Sequence, residues 1–116
     1  MKHDNWYNEE YMNHRRSEVI QVANEIIDKK IGIIEGVRKL RTLHHEVSED
    51  DFDPDFIVFT AIDSETDHLP VGEVRKYWSS NALEIKDREI NDAEECYREQ
   101  VFNACKILIN RFGKNL

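Results

Sequence analysis

Apolar residues in this chain recur mainly at steps of three and four, the period of helices that bury one face. Tyr11, Val19, Val22, Ala23, Ile26 and Ile27 mark a first such stripe, predicting a helix that opens near Asp4 or Asn5 and runs toward Lys30. Lys29 and Lys30 suit its end, where cations oppose the helix dipole. A second stripe spans Ile31 to His45 through Ile33, Val37, Leu40 and Leu43 or His44, with Ile34 beside it. Gly32 and Gly36 each lower helix propensity by about 1 kcal/mol relative to Ala. Their expected role is close approach of two helices; the alternative is a helix that starts after Ile31.

Val47 to Asp53 is expected to be an acidic loop. Asp53-Pro54 then reads as an N-cap followed by proline at the first helical position, with Asp55 in the positive first turn. Phe56 to Ile62 has the β-branched and aromatic content of a buried strand. No second strand-like run exists to pair with it, and a lone strand leaves its backbone groups unsatisfied, so helix is predicted. Pro70 biases Leu69 away from helical geometry and ends that segment. A short helix from Val71 to Tyr77 or Trp78 follows, then cap candidates Ser79, Ser80 and Asn81, with Asn81 and Glu84 approximating a capping box.

The last segment carries Leu83, Ile90, Tyr97, Val101, Ala104, Leu108 and Phe112, which predicts a helix from Ala82 to Phe112 with Gly113 as its C-prime residue. At 1.5 Å per residue it would be about 46 Å long, so one end should project or lie along a long neighbour, naturally the first helix. There is no internal repeat, linker or low-complexity run. The expected architecture is all-α: residues 1–116 as one helical bundle of four or five helices with a long C-terminal helix.

Charge changes this picture more than composition does. The chain has 116 residues, 40% apolar and 34% charged, which suits one folded domain. Its net charge of −8 argues against nucleic acid as a partner. No lysine or arginine lies between Arg41 and Arg75, while that stretch holds Glu46, Glu49, Asp50, Asp51, Asp53, Asp55, Asp63, Glu65, Asp67 and Glu73. The remainder, with fourteen acids and sixteen bases, nets +2. No apolar run approaches the ~20 residues of a membrane span, and Met1 to Asn5 lacks a signal-peptide core, so a cytoplasmic location is expected. Cys96 and Cys105, nine positions apart on one helix, face opposite ways and should be two reduced thiols.

Candidate chemistry fails on spacing. Asp51-x-Asp53-x-Asp55 begins like a calcium loop but has Phe56 where glycine is required and Ile62 where a bidentate glutamate is required. His44-His45-Glu46 lacks the i, i+4 histidines of a zinc helix, and a surface or capping role is expected for that pair. Glu65-x-x-His68 is one half of a di-iron pattern without its second half. Neither cysteine sits in a nucleophile motif, and no glycine-rich phosphate loop is present. No catalytic residue, metal site or cofactor is therefore assigned.

Ile33 to Leu43, then Asp63-Ser64-Glu65-Thr66-Asp67-His68-Leu69-Pro70, then Trp78 and a long helix containing Glu94-Glu95-Cys96-Tyr97, resembles a family of small helical bacterial proteins of unknown function, over roughly residues 18 to 112. That family carries no assigned catalytic residues. In size and acidity the chain is also similar in type to immunity proteins of contact-dependent toxin systems, which implies binding to a basic, toxic nuclease. The expected function is an acidic protein that neutralises a basic partner. Glu46, Glu49, Asp50, Asp51, Asp53, Asp55, Asp63, Glu65 and Asp67 would steer the encounter, and Tyr77 and Trp78 would anchor it. Reversing charge at Asp50, Asp51, Asp53 and Asp55 is expected to slow association and leave the fold intact. The alternatives are a helical homo-oligomer, signalled by Ile85 or Ile107 off the main stripe, and an enzyme or metal-binding protein using Glu65, His68 and acids of the acidic loop.

Overall fold

The computed structural model describes residues 9–113. In chain order these form α1 (Glu9–Ile27), α2 (Ile33–Val47), α3 (Pro54–Thr66), a 3-10 helix (Gly72–Tyr77) and α4 (Ser80–Gly113), with no strand among the described residues. The predicted start of the first helix at Asp4 or Asn5 lies outside them.

Each boundary has an identifiable cause. α1 stops at Ile27 rather than at Lys30, because Lys29 adopts a left-handed backbone (φ 62°). The Lys30 amide then donates to the Glu25 carbonyl and the Lys29 amide to that of Ile26, the two bonds of a Schellman cap. α2 begins at Ile33, and its N-cap is Gly32, which has no side chain to cap with. A distant residue substitutes: Glu94 Oε2 on α4 accepts from the Ile34 amide at 3.2 Å. Gly36 lies against α1, and a methyl group there would overlap Cγ1 and Cδ1 of Ile26. Both readings of the glycine pair therefore hold, one glycine for the later start and the other for close approach.

α3 opens as its sequence predicts, Asp53 accepting from the Asp55 amide and Pro54 following as the first helical residue. The strand-like run is helical and buries Phe56, Phe59 and Ile62, leaving Ile57 exposed. Arg38 on α2 donates to the carbonyls of Thr66 and Leu69, adding to the bond that the Leu69 amide gives the Thr66 carbonyl and so closing the end of α3. α4 starts two residues earlier than predicted. Its cap is Ser79, whose Oγ accepts from the Ala82 amide and whose carbonyl accepts from Leu83, so the Asn81–Glu84 box is not used. Gly113 remains a helical residue and has no left-handed φ, unlike the predicted C-prime glycine.

The pairings fix an up-down-up-down order. Tyr11 meets Glu46 while Ile26 meets Gly36, so α1 and α2 are antiparallel. Arg38 meets Thr66 while Ser48 meets Asp53, which sets α3 against α2. Asp55 meets Arg111 and Glu65 meets Tyr97, which sets α4 against α3. The core between them gathers Val19, Ala23 and Ile26, then Val37 and Leu40, then Phe56 and Phe59, then Val101, Cys105 and Leu108. A smaller cluster of Ile34, Leu69 and Ile90 closes one end.

α4 has 34 residues, about 51 Å at 1.5 Å each, and matches the 49 Å long axis of the molecule. As expected it runs beside α1, but α1 is only 19 residues long. None of the ten residues from Ser80 to Glu89 is buried, so this end of α4 projects past the core with the 3-10 helix at its side. Arg75 holds the two together through a bidentate pair with Asp87, at 2.8 and 3.1 Å.

Two glycine exchanges should move stability in opposite directions. Lys29→Gly relieves a left-handed lysine and is expected to stabilise by roughly 0.5–1 kcal/mol. Gly36→Ala adds helix propensity but forces a methyl into Ile26, and is expected to destabilise by about 1–2 kcal/mol. Urea denaturation of both variants reads the two signs; a more stable Gly36→Ala protein would refute the close approach.

Candidate partner-binding surface

The acidic loop between α2 and α3 is built around the Asp53 carboxylate, of which only 6% is exposed. Ser48, the C-cap of α2, donates its hydroxyl to Oδ2 at 2.8 Å. The Asp55 amide donates to Oδ1 at 3.0 Å, and Arg111 from the end of α4 donates to the same oxygen at 3.0 Å. Burial pushes the Asp53 pKa upward, but the bonds from Ser48, the Asp55 amide and Arg111 outweigh it and hold the carboxyl below its ordinary value. Arg111 also reaches Asp55 Oδ2 at 2.9 Å. Asp53 and Asp55 are thus structural, and the expectation that reversing their charge leaves the fold intact is corrected.

The loop itself is pinned at several points. Of the histidine pair expected at the surface or as a cap, His45 is exposed but His44 is buried, with its ring stacked 4.6 Å from both Phe56 and His45. Its Nε2 lies 2.8 Å from the Asp50 carbonyl, an acceptor only, so Nε2 carries a proton. The Asp50 side chain turns back to accept from the Phe52 amide at 2.9 Å. Between these fixed points Glu49, Asp50 and Asp51 are exposed. Asp51 lies 3.5 Å from Nδ1 of the exposed His45. No lysine or arginine pairs with Asp50 or Asp51 among the described residues.

Phe52 stands at 79% exposure in the middle of this acidic loop, and sequence reasoning missed it. The signal was present in Phe52-Asp53-Pro54-Asp55-Phe56-Ile57. With Asp53 as N-cap, Phe52 and Ile57 occupy the N′ and N4 positions at which a hydrophobic staple forms. Here both members stay open to solvent, Ile57 at 42%.

The other predicted carboxylates are divided by the fold. Glu46 accepts from Tyr11 at 3.0 Å and lies 3.9 Å from Arg15. Asp63 lies between Arg38 and Arg41, at 3.4 and 3.2 Å. The Arg38 Nε contact lacks hydrogen-bond geometry. Glu65 accepts from the Tyr97 hydroxyl, which raises the tyrosine pKa to about 12. Asp67 caps the far end of α3 and is exposed. Asp53 and Asp67 are thus roughly 20 Å apart along α3, and Asp63, Glu65 and Asp67 belong to the opposite end of the bundle from the acidic loop. Tyr77 and Trp78 lie beyond them, on the projecting end, 81% and 37% exposed. What is one segment in sequence becomes two surfaces, and arginines from α1, α2 and α4 neutralise part of each.

For other chemistry the structure brings little together. Among the described residues no three His, Cys, Asp or Glu side chains converge as metal ligands. Cys96 is exposed and Cys105 buried, opposite faces as predicted, and burial pushes the Cys105 thiol up to about 12. An open groove between α1 and α2 is lined by both signs of charge, Glu18, Glu25 and Glu35 facing Arg15, Arg38 and Lys39. No helix among the described residues is long and apolar enough to cross a membrane.

The depressed Asp53 pKa fixes a pH signature. A carboxylate whose folded pKa lies below its unfolded value of about 3.9 stabilises fully above that value, and the contribution is lost as pH falls through the folded pKa. Asp53→Asn keeps a capping acceptor but removes the charge facing Arg111, at an expected cost of about 1–2 kcal/mol at neutral pH. Denaturation at a series of pH values should show the gap to the native chain closing below about pH 4. A gap constant from neutral to acid pH would contradict the assignment.

No family model, curated protein or solved structure matches this chain.

Proposed function

We propose that this protein is an acidic binding protein, of the inhibitor or immunity type, that docks the α2–α3 loop on a basic partner protein such as a toxic nuclease. The observation that carries this reading is Phe52, an aromatic ring left open to solvent in a loop of three exposed carboxylates whose backbone is fixed from beneath. An exposed phenylalanine gains nothing for the folded monomer, whereas an aromatic at the centre of an interface commonly contributes about 2 kcal/mol or more. Because Asp53, His44 and Asp50 already order the loop, little conformational freedom is lost on docking. Glu49, Asp50 and Asp51 supply negative potential that accelerates encounter with a positive surface and orients it.

This narrows the site expected from the sequence. Glu49, Asp50, Asp51 and Phe52 make the contact, with Ile57 beside them. Glu46, Asp53 and Asp55 hold the loop, and Asp63, Glu65, Asp67, Tyr77 and Trp78 lie outside it. The bacterial origin and the toxin partner rest on likeness of type in size and acidity.

The test is capture of a basic protein from a lysate of the source organism, with bound protein eluted by salt. The native chain is expected to retain one, and retention should weaken as ionic strength rises from about 0.05 to 0.5 M, where the screening length shrinks to a few ångströms. Asp51→Lys should slow association several-fold, and Phe52→Ala should speed dissociation roughly 30-fold, both with unchanged thermal stability. Equal retention by the native chain and both variants would sink the proposal.

A further inference from the structure

The projecting end of α4 differs from the rest of the molecule in two respects. It is apolar on its surface: Val74, Tyr77, Trp78 and Ile85 are 48%, 81%, 37% and 59% exposed. Val74 and Tyr77 are three apart on the 3-10 helix, a spacing that aligns them on one face. Ile85 lies on the outer side of α4, five residues and about 140° around from the buried Ile90.

It is also electrically neutral. The chain carries −8 overall, but Gly72 to Ile90 holds four acids and four bases, and all eight pair with one another. Arg75 takes Asp87 at 2.8 Å, Lys76 takes Glu73 at 3.3 Å, Lys86 takes Glu89 at 2.9 Å and Arg88 takes Glu84 at 3.3 Å. Surface pairs of this kind contribute little stability, but they remove the net field from this end. A basic or an acidic partner would find no charge to complement here.

We infer that this end docks a second copy of the chain, with Val74, Tyr77 and Trp78 as the buried anchors. Two copies of an acidic protein repel each other across most of their surfaces, and the neutral end is where they meet without that penalty. The acidic loop is far away, since Arg111 beneath it lies about 39 Å along α4 from Ile85, several screening lengths at physiological salt. Val74, Tyr77 and Trp78 together offer on the order of 400 Å² against about 800 Å² per partner in a standard interface, which fits a weak dimer. A closed two-fold contact uses the same patch on both copies and leaves both acidic loops facing outward. The contact is independent of the proposed basic partner, which engages the opposite end.

Sedimentation equilibrium of the full chain tests this directly. A dimer is expected at about 100 µM, with a dissociation constant in the micromolar range. Because the contact is apolar, raising salt to about 0.5 M should leave it unchanged or tighter. Tyr77→Glu should raise the dissociation constant at least 30-fold with unaltered helical circular dichroism, since Tyr77 is exposed in the monomer. Phe52→Glu, at the other end, should leave the dimer intact. A native chain that is monomeric at that concentration would overturn the inference. So would a dimer that survives Tyr77→Glu, or one that Phe52→Glu dissociates.

Discussion

The Asp53 carboxylate ends three helices at once: it accepts from the residue that closes α2, from the first turn of α3 and from an arginine in the last turn of α4. A buried charge is stable only when its lone pairs are occupied and an opposite charge faces it, and Asp53 meets both conditions. Removing Arg111 would leave that charge buried without its counter-ion, and removing Ser48 would leave one oxygen without its hydroxyl donor. The position and direction of the acidic loop follow from this arrangement, since the loop is the chain between Ser48 and Asp53. Glu49 to Phe52 are presented to solvent because both of their ends are tied down.

Much of the fold is legible in the sequence. The three/four rhythm locates α1, α2 and α4, the lack of any partner strand makes α3 a helix, and Asp53-Pro54 marks its start to the residue. The helix ends were harder where the cap comes from elsewhere in the chain. Gly32 is a poor N-cap on local grounds, and only the tertiary contact from Glu94 explains why α2 starts after it. Lys29 in a left-handed conformation is likewise dictated by the return of the chain into α2, against the preference of a lysine. The site was less legible than the fold. A run of carboxylates reads as one surface in sequence, but a 13-residue helix separates its halves, and arginines far away in the chain neutralise part of each. Phe52 was overlooked because a single aromatic next to an N-cap ordinarily packs back on its own helix.

The two ends of the long axis thus have different physical characters. At one end, the exposed carboxylates of Asp50 and Asp51 lie beside a single exposed ring. At the other, apolar side chains sit among charges that cancel in pairs. The length of α4 makes this possible, since it carries Arg111 under the acidic loop and extends ten residues beyond the core at its other end. A shorter helix would anchor the loop but have no neutral ledge.

The central claim is that the acidic loop is a fixed surface held by Asp53 and Arg111. The most direct measurement is amide hydrogen exchange at Asp55, whose N–H has the Asp53 carboxylate as its acceptor, compared between the native chain and Arg111→Leu. The account predicts slow exchange at Asp55 in the native protein and strongly accelerated exchange in the variant, with the Val37 amide in the middle of α2 unaffected in both. Exchange at Asp55 as fast as in an unstructured peptide, already in the native chain, would contradict it.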